Sequence, residues 1–295
     1  MINYNQEIIK GKEKELVDYW ENRFLHSIEL AVQDISQIKA VQFVTITGPT
    51  CSGKTTTASL LVKLFEKNGI ESIVLSVDDF YDLTANDNAK VNFESIDAID
   101  VKCFEKCIND INDKKTAQVP IFDFVTQTRA GYKELPYKDN RIIIIEGIQT
   151  MYPEIRNLLP SNNTKRIFID VEKINAYGVV FDCQYVRLCR RLVRDYQFRN
   201  SSAKRTLNMW NIVTSNENKN IYPYFDLADY KISSLMPYGL NVIKNYLFDL
   251  IKYDLSDPVE EAFYNRIKQD FSSIPSLSSQ FVPNDSVFRE FIGQN

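Results

Sequence analysis

The sequence predicts an α/β fold with a mainly parallel sheet, and three observations lead to this prediction. Residues 41–47 have the pattern of a strand, residues 54–67 that of a helix, and residues 72–77 that of a second strand. A strand–helix–strand unit of this kind pairs its strands in parallel through a right-handed crossover. Residues 141–145 form a largely β-branched run, as in strands that are covered on both faces. We therefore expect a sheet between two layers of helices, a three-layer α/β/α sandwich.

The remaining elements are predicted from the same periodicities and from turn-forming residues. We expect a polar loop over residues 82–97 and an extended segment at 118–126 whose return strand is 132–135. Further expected elements are helices over 12–38, 98–113, 184–198, 202–217, 237–252 and 257–271, and strands at 166–171 and 230–233. The sequence has no internal repeat and no clear linker, so we expect one α/β domain with terminal additions.

The composition is that of an ordinary globular protein, and it argues against several classes of function. The 295 residues are 44% hydrophobic and 25% charged, with a formal net charge of −4. This acidic balance argues against a general nucleic-acid binder, and no apolar run is long enough to cross a membrane. The polar N-terminus is unlike a signal peptide, and five cysteines without a C-x-x-C pair indicate a reduced, cytoplasmic protein. Because the single histidine is His26, acid–base chemistry is expected to fall to carboxylates.

A phosphate-binding loop is predicted between the first strand and the helix that follows it. Residues 48–55, Gly-Pro-Thr-Cys-Ser-Gly-Lys-Thr, match the pattern G-x-x-x-x-G-K-S/T. The glycines let successive N–H groups point at phosphate oxygens, Lys54 reaches the β- and γ-phosphates, and the Thr55 hydroxyl binds Mg²⁺. The helix directs its positive N-terminal end at the same phosphates. The residues expected to bind ATP are Gly48, Thr50, Cys51, Ser52, Gly53, Lys54, Thr55 and Thr56.

Such a loop serves GTPases, ATPase motors and transporters, and small-molecule kinases. The chain lacks the D-x-x-G and N-K-x-D motifs of GTPases and the L-S-G-G signature of transporters. A kinase needs one carboxylate that accepts the acceptor's proton, a second that supports Mg²⁺, and arginines that offset phosphoryl charge. Asp78 and Asp79 end one predicted strand and Glu146 ends another, so we expect them at the carboxyl edge of the sheet, beside the loop. These carboxylates favour a kinase.

An arginine-rich segment supplies the third requirement of a kinase. Arg187, Arg190, Arg191 and Arg194 recur at i, i+3, i+4 and i+7, which places them on one face of a helix. Such a run can be a solvated basic face, but beside a phosphate loop we interpret it as a lid, at about residues 184–205, that grips phosphates. The full prediction is a three-layer P-loop NTPase sandwich with a mainly parallel sheet, a small β-hairpin and an arginine-rich helical lid.

These motifs resemble the uridine kinase and phosphoribulokinase group of P-loop kinases, and uridine kinases most closely. The resembling stretches are 48–57, 75–81, 92–99, 119–124 with Arg129, 145–147, 187–191, 194–195 and 228–229. Residues 194–199, the region of Trp210, residues 221–223 and the tail at 282–293 are similar to a larger bacterial-type nucleoside kinase subfamily. The expected organisation is an N-terminal helical extension (1–40), a P-loop kinase domain (41–255), and a C-terminal helix and tail (256–295) packed on that domain.

The resemblance implies a role for each residue of the site. Asp78 corresponds to the general base that activates a ribose 5′-hydroxyl, and Thr55, Asp78 and Glu146 together support Mg²⁺. Asp97 corresponds to the acid that holds ribose hydroxyls. The other implied acceptor-binding residues are Tyr81, Phe122, Gln127 and Arg129, and the implied catalytic cations are Lys54, Arg187, Arg191 and Arg194. The implied activity is ATP- and Mg²⁺-dependent phosphorylation of a nucleoside, most closely uridine or cytidine, by a protein that can be a homo-oligomer.

Two residues depart from the uridine kinase pattern and leave the acceptor open. Uridine kinases carry Tyr at the position of Phe122 and His at that of Gln127, and these two groups read the edge of the base. A phenylalanine cannot hydrogen-bond a base and can equally be a packing residue, whereas Gln127 can donate and accept. One alternative is a kinase for another small alcohol, such as a sugar phosphate or a pantothenate-like compound. Another is a non-catalytic nucleotide-binding module.

Overall fold

The computed structural model of the protein describes residues 1–83, 93–250 and 258–294. Its strands are β1 (Ile2–Tyr4), β2 (Phe43–Thr47), β3 (Ser72–Ser76), β4 (Ala117–Asp123), β5 (Thr128–Leu135), β6 (Ile142–Glu146), β7 (Thr164–Asp170), β8 (Ile174–Ala176), β9 (Val179–Phe181) and β10 (Tyr230–Ser233). Its helices are α1 (Glu13–Ser36), α2 (Lys54–Lys67), α3 (Val101–Asn112), α4 (Pro153–Arg156), α5 (Cys183–Phe198), α6 (Ala203–Asn220), α7 (Gly239–Leu250), α8 (Pro258–Asp270) and α9 (Arg289–Ile292). No helix in these three ranges combines the length and the apolar character that a membrane span requires.

The central sheet has the strand order β10–β7–β2–β6–β3, and every pairing in it is parallel. Strand β2, which leads into the phosphate loop, lies in the middle between β6 and β7. All five strands therefore end at one edge. The strand–helix–strand crossover predicted from the sequence is confirmed, because β3 lies in the same parallel sheet as β2.

Both faces of the sheet are buried, which explains the continuous apolar runs of its strands. Along β2 and β6, Val44 and Ile144 belong to the core that α1, α2, α5 and α7 cover, whereas Phe43 and Ile143 belong to the core that α3 covers. Successive residues of a strand point to opposite faces, so a strand between two helix layers needs apolar residues at every position. The three-layer prediction is confirmed.

A two-stranded antiparallel hairpin, β4–β5, stands apart from the central sheet, as the sequence predicts. Its register shifts between Ile121 and Phe122, which marks a β-bulge just before the tip. The return strand begins at Thr128 rather than at the expected residue 132, because Arg129 and Gly131 pair with β4 despite the lack of an alternating pattern. The predicted loop over residues 82–97 lies partly outside the described residues.

The N-terminal region contributes more than the expected helix. Strand β1 pairs in parallel with β8, which in turn forms a hairpin with β9, and none of these three-residue strands is predicted from the sequence. Strands this short carry too few residues for a period-two pattern. The buried Tyr4 hydroxyl donates to Asn241 Oδ1 at 3.0 Å, and the Asn241 amide donates to the Tyr177 hydroxyl and the Pro275 carbonyl. Asn241 thus ties the N-terminal strand to α7 and to the C-terminal region.

We expect Tyr4→Phe to lower the free energy of unfolding by roughly 1–3 kcal/mol, since Asn241 Oδ1 would remain buried without a donor. Urea unfolding followed by circular dichroism measures this change. Tyr19→Phe is the matched control, because the Tyr19 side chain is 55% exposed and its substitution should cost less than about 0.5 kcal/mol. Equal stability of the two variants would show that the N-terminal strand does not depend on this hydrogen bond.

Candidate active site

The phosphate loop occupies the turn between β2 and α2, and its backbone conformation depends on two glycines. A Cβ atom on Gly48 would lie 1.9 Å from the Ile169 carbonyl oxygen, so no other residue fits there. Gly53 caps α2 with a left-handed conformation (φ +90°), and Cys51 also has a positive φ of 59°. Such reversals along a short loop turn successive N–H groups toward one point, where anions bind.

The loop fits a chain of phosphates. It leads directly into α2, whose first N–H groups and positive dipole end face the same point. The Lys54 ammonium group donates to the Pro49 carbonyl at 3.0 Å, which keeps its charge on the loop. The Ser52 hydroxyl is buried without a hydrogen-bond partner among the described residues, so the loop holds a spare donor. All eight residues predicted to bind ATP lie on this loop and the first turn of α2.

Two carboxylates meet beside the loop at the carboxyl edge of the sheet. Ser76 is the register partner of Glu146 across β3 and β6, and its hydroxyl donates to Glu146 Oε1 at 3.2 Å. Asp78 lies two residues beyond β3, in the short 3-10 helix Val77–Phe80, and its charge acts on Glu146. Asp79 differs, because its carboxylate lies 3.2 Å from Lys133 of the hairpin. Of the two adjacent aspartates, Asp78 therefore belongs to the group that contains Lys54 and Glu146.

Burial governs the charge of this pair. The pKa of the Glu146 carboxyl is raised to about 7, chiefly by burial and also by Asp78, with Lys54 and the Ser76 hydroxyl acting in the opposite direction. Burial also raises the pKa of Asp78, against the opposing effects of the Tyr81 hydroxyl and Lys54. Two carboxylates that share one site resist being charged together unless a cation joins them. A bound cation in addition to Lys54 would therefore stabilise the charged forms of Asp78 and Glu146.

The oxygen set fits Mg²⁺ bound together with phosphates. Among the residues that the structure describes, no three or more His, Cys, Asp or Glu side chains cluster as a complete metal cage. Mg²⁺ in phosphoryl-transfer sites uses one or two carboxylates, and phosphate oxygens and water complete its octahedron. Thr55, Asp78 and Glu146 are the donors on this chain that would hold the ion at the loop.

An aromatic wall adjoins Asp78. The rings of Tyr81 and Phe122 meet edge to face at 5.4 Å, and Phe93 lies 5.2 Å from Tyr81. The Tyr81 hydroxyl donates to the Phe93 carbonyl at 2.7 Å, and the buried Gln149 amide donates to that carbonyl at 3.1 Å. Phe122 is only 6% exposed, so it packs within this wall. Tyr81 and Phe122, both predicted as acceptor residues, are thus brought together on one side of the carboxylates.

Three other predicted acceptor residues make their contacts elsewhere. Gln127 lies at the exposed tip of the hairpin with a φ of +55°. The Arg129 guanidinium donates to Asp100 at 3.0 Å. Asp97 is exposed, and its carboxylate accepts a hydrogen bond of 2.9 Å from the Ser95 hydroxyl.

Glu94 lies in the site, and the sequence reasoning missed it. Its carboxylate lies 3.9 Å from Arg191, and its side chain is 16% exposed. The pKa of Glu94 is raised to about 7, chiefly by burial and also by Glu217, with Arg191 and Lys54 acting in the opposite direction. Glu94 stands three residues before Asp97, within the stretch that resembles uridine kinases. The signal was therefore present, but spacing alone does not show which acid faces inward.

Arg187, one of the arginines predicted for a lid that grips phosphates, lies inside the protein. Its guanidinium is fully buried and makes a bidentate pair with Glu217 of α6, at 2.9 and 2.8 Å. It also donates to the Thr50 carbonyl at 3.0 Å, while Glu217 accepts from the Thr50 amide at 2.7 Å. The pair thus holds both backbone groups of one loop residue. Arg187 supports the phosphate loop from within the protein, and a carboxylate on a distant helix accounts for the difference.

The other arginines of α5 face the same region, and they already make hydrogen bonds or ion pairs within the protein. Arg190 is buried and donates to the carbonyls of Cys51 (3.3 Å) and Ser234 (2.9 Å). Arg191 and Arg194 both pair with Asp195, at 3.2 and 2.7 Å, so their charge is shared with an acid. Arg199, which follows α5, has a side chain that is 60% exposed and also lies 3.8 Å from Asp195, and its charge lowers the pKa of Asp78. Arg199 is thus an exposed cation beside the site that the sequence reasoning did not select.

We expect Glu217→Gln to destabilise the protein by roughly 3 kcal/mol, because it leaves the buried Arg187 guanidinium with only the more distant Asp170, at 3.6 Å. The variant should also bind Mg²⁺-tripolyphosphate more weakly, since the Thr50 backbone loses its charged partner. Urea unfolding and calorimetry measure the two effects. Glu66→Gln, on the exposed face of α2, is the matched control and should change neither. An unaltered Glu217→Gln protein would contradict the role of the pair.

The chain is similar in sequence to a family of known proteins. The model of the phosphoribulokinase / uridine kinase family matches residues 43–238, more than half of the chain. Uridine-cytidine kinase C of Dictyostelium discoideum is 30% identical over 171 residues, which are 56% of this chain and 34% of that protein. Uridine-cytidine kinase 2-B of Danio rerio is 30% identical over 177 residues, 56% of this chain and 62% of that protein. The chain thus matches less than two thirds of the length of either relative.

A solved structure shares the fold. The putative fructose transport system kinase from Silicibacter sp. TM1040 superimposes with a TM-score of 0.53 at 15% identity, over 69% of this chain and 98% of that one. The family match spans the phosphate loop, both strand-end carboxylates and the arginine helix α5. On this match, the chain belongs to the phosphoribulokinase / uridine kinase family.

Proposed function

We propose that this protein transfers the γ-phosphoryl group of ATP to the 5′-hydroxyl of a nucleoside, with uridine and cytidine as the first candidates. One observation carries the proposal: Asp78 and Glu146 share a buried group with Lys54 at the mouth of the phosphate loop. A regulatory nucleotide-binding module has no physical need for two carboxylates whose pKa values burial raises. The similarity to two uridine-cytidine kinases supports the choice of acceptor.

Asp78 is the residue that we assign to proton transfer. A raised pKa brings a carboxylate closer to the operating pH of a general base. It takes the proton of the acceptor hydroxyl as the hydroxyl oxygen bonds to the γ-phosphorus and the bond from that phosphorus to ADP breaks. Lys54 and the exposed Arg199 offset the charge on the transferring group. Bound Mg²⁺ would neutralise phosphate charge between Thr55 and Glu146.

The acceptor is assigned to the side of the site that the aromatic wall forms. Tyr81, Phe93 and Phe122 offer an apolar surface for a base or another flat group. We assign the ribose hydroxyls to Glu94 in preference to Asp97, because Glu94 lies within the charged group and Asp97 is exposed. Phe122 cannot hydrogen-bond a pyrimidine edge, so a different small alcohol remains the second candidate acceptor.

We expect Asp78→Asn to lower kcat by about 10²–10⁴, because it removes the proton acceptor and keeps the shape of the side chain. ADP release with a panel of nucleosides, sugar phosphates and pantothenate measures this loss and names the acceptor. Asp79→Asn is the matched control, since its carboxylate faces Lys133. The proposal fails if no nucleoside gives acceptor-dependent ADP, or if Asp79→Asn is the more damaging change.

The affinity for Mg²⁺ should depend on pH through Glu146. Its pKa of about 7 in the free protein means that a proton competes with the ion below pH 7. Lowering the pH from 8 to 6 should weaken Mg²⁺ binding to the ADP complex by about tenfold through this one group. The same titration of Glu146→Gln isolates the effect, because proton uptake by the nucleotide is common to both proteins. Parallel pH profiles of the two proteins would exclude Glu146 as an ion ligand.

A further inference from the structure

The segment at residues 282–294 is packed directly on the phosphate loop. A Cβ atom on Gly53 would lie 2.4 Å from Val287 Cγ2, and one on Gly239 would lie 2.6 Å from the Phe288 ring. The Arg190 guanidinium lies 4.8 Å from the centre of the Phe291 ring. The segment therefore meets the loop, the start of α7 and the arginine helix at once. We call it the C-terminal wall.

Hydrogen bonds hold the C-terminal wall in one shape. The Arg289 side chain is 5% exposed and donates to the carbonyls of Ser279 and Gly293, each at 2.9 Å, and to that of Val282. The Ser286 hydroxyl donates to Glu21 of α1 and accepts from the Phe288 amide at 3.0 Å. A buried arginine that ties several carbonyls together fixes the backbone around it. The C-terminal wall is therefore an ordered part of the structure beside the phosphate loop.

A cavity of about 270 Å³ lies between this wall and α2, and it begins at the phosphate loop. Thr55, Ser59 and Lys63 line it from one flank of α2, where residues four apart share a face. Asn284, Glu290 and Gln294 line it from the wall. Its volume is near the lower end of the range for small-molecule sites, and its lining offers donors and acceptors on both sides.

We propose that this cavity takes the ribose and base of ATP, so that the C-terminal wall forms the nucleoside half of the phosphoryl-donor site. The inference rests on the proposed function, because it locates the ribose and base of the ATP that donates the phosphoryl group. The loop N–H groups cradle the α- and β-phosphates, so the nucleoside must leave the loop at the first turn of α2. The cavity opens at that turn, at Thr55 and Thr56.

Glu290 suits a sugar rather than a phosphate. Its carboxylate accepts a hydrogen bond of 3.2 Å from the Thr56 hydroxyl, which places a negative charge just past the phosphate positions. Such a charge repels phosphate but accepts hydrogen bonds from the 2′- and 3′-hydroxyls of a ribose. We assign Glu290 to these hydroxyls and the cavity beyond it, toward Lys63, to the base.

The test compares two ligands by calorimetry without any acceptor: Mg²⁺-ATP and Mg²⁺-tripolyphosphate, which shares the phosphates and lacks the nucleoside. Ser59→Trp fills the cavity and should weaken ATP binding by tenfold or more, while tripolyphosphate binding stays unchanged. Glu66→Trp, on α2 but outside the cavity lining, is the matched control and should alter neither. Loss of ATP affinity together with tripolyphosphate affinity would mean that the change disturbs the loop, and it would overturn the proposal.

Glu290→Gln gives a second readout that does not depend on filling space. The wild-type protein should bind ATP more tightly than 2′,3′-dideoxy-ATP, and the variant should lose most of that preference. Stronger ATP binding by Glu290→Gln would show that the carboxylate repels the phosphates of ATP. An unchanged preference for ATP over 2′,3′-dideoxy-ATP would place the ribose elsewhere. Either result overturns the proposal. Because these are binding measurements, a positive result with no nucleoside turnover would reject the proposed function and leave this site standing.

Discussion

The site depends on one buried ion pair, Arg187 with Glu217, which holds both backbone groups of Thr50. A phosphate loop has few side chains of its own to fix its shape, and its glycines make it conformationally free. The pair supplies that constraint from two helices outside the loop. Breaking a buried pair leaves an uncompensated charge, so the pair holds the loop only while both partners are present.

Buried charge also decides what the site can do. Glu94, Asp78 and Glu146 each have a pKa raised chiefly by burial, and each faces Lys54. Glu146 ends a strand of the parallel sheet, Asp78 lies just beyond another strand, and Glu94 lies in the segment that follows. At this edge the chain leaves the core, so polar groups can converge. The desolvation and mutual repulsion of these carboxylates favour the binding of a cation. The raised pKa values also make a carboxylate a better proton acceptor near neutral pH.

Much of this arrangement is encoded in local sequence. The phosphate loop, helix α2 and strand β10 lie where the pattern places them; Glu146 ends β6 as expected, and Asp78 lies two residues beyond the end of β3. These predictions hold because each depends on a short motif or on a period that the backbone imposes. The roles of the site residues themselves remain predictions. The three-residue strands β1, β8 and β9 escaped detection because they depend on pairing between distant segments.

The periodicity of the sequence indicates that an arginine-rich helix lies beyond the phosphate loop in the chain, but it does not show what the arginines contact. Arg187 is matched by Glu217, thirty positions later on another helix, and Glu94 rather than Asp97 faces the charged group. The tail, which shows no periodic signal that links it to the loop, lies against Gly53. These contacts follow from the tertiary fold. Burial and charge pairing depend on which distant residues come together, and a local sequence pattern does not show which residues those are.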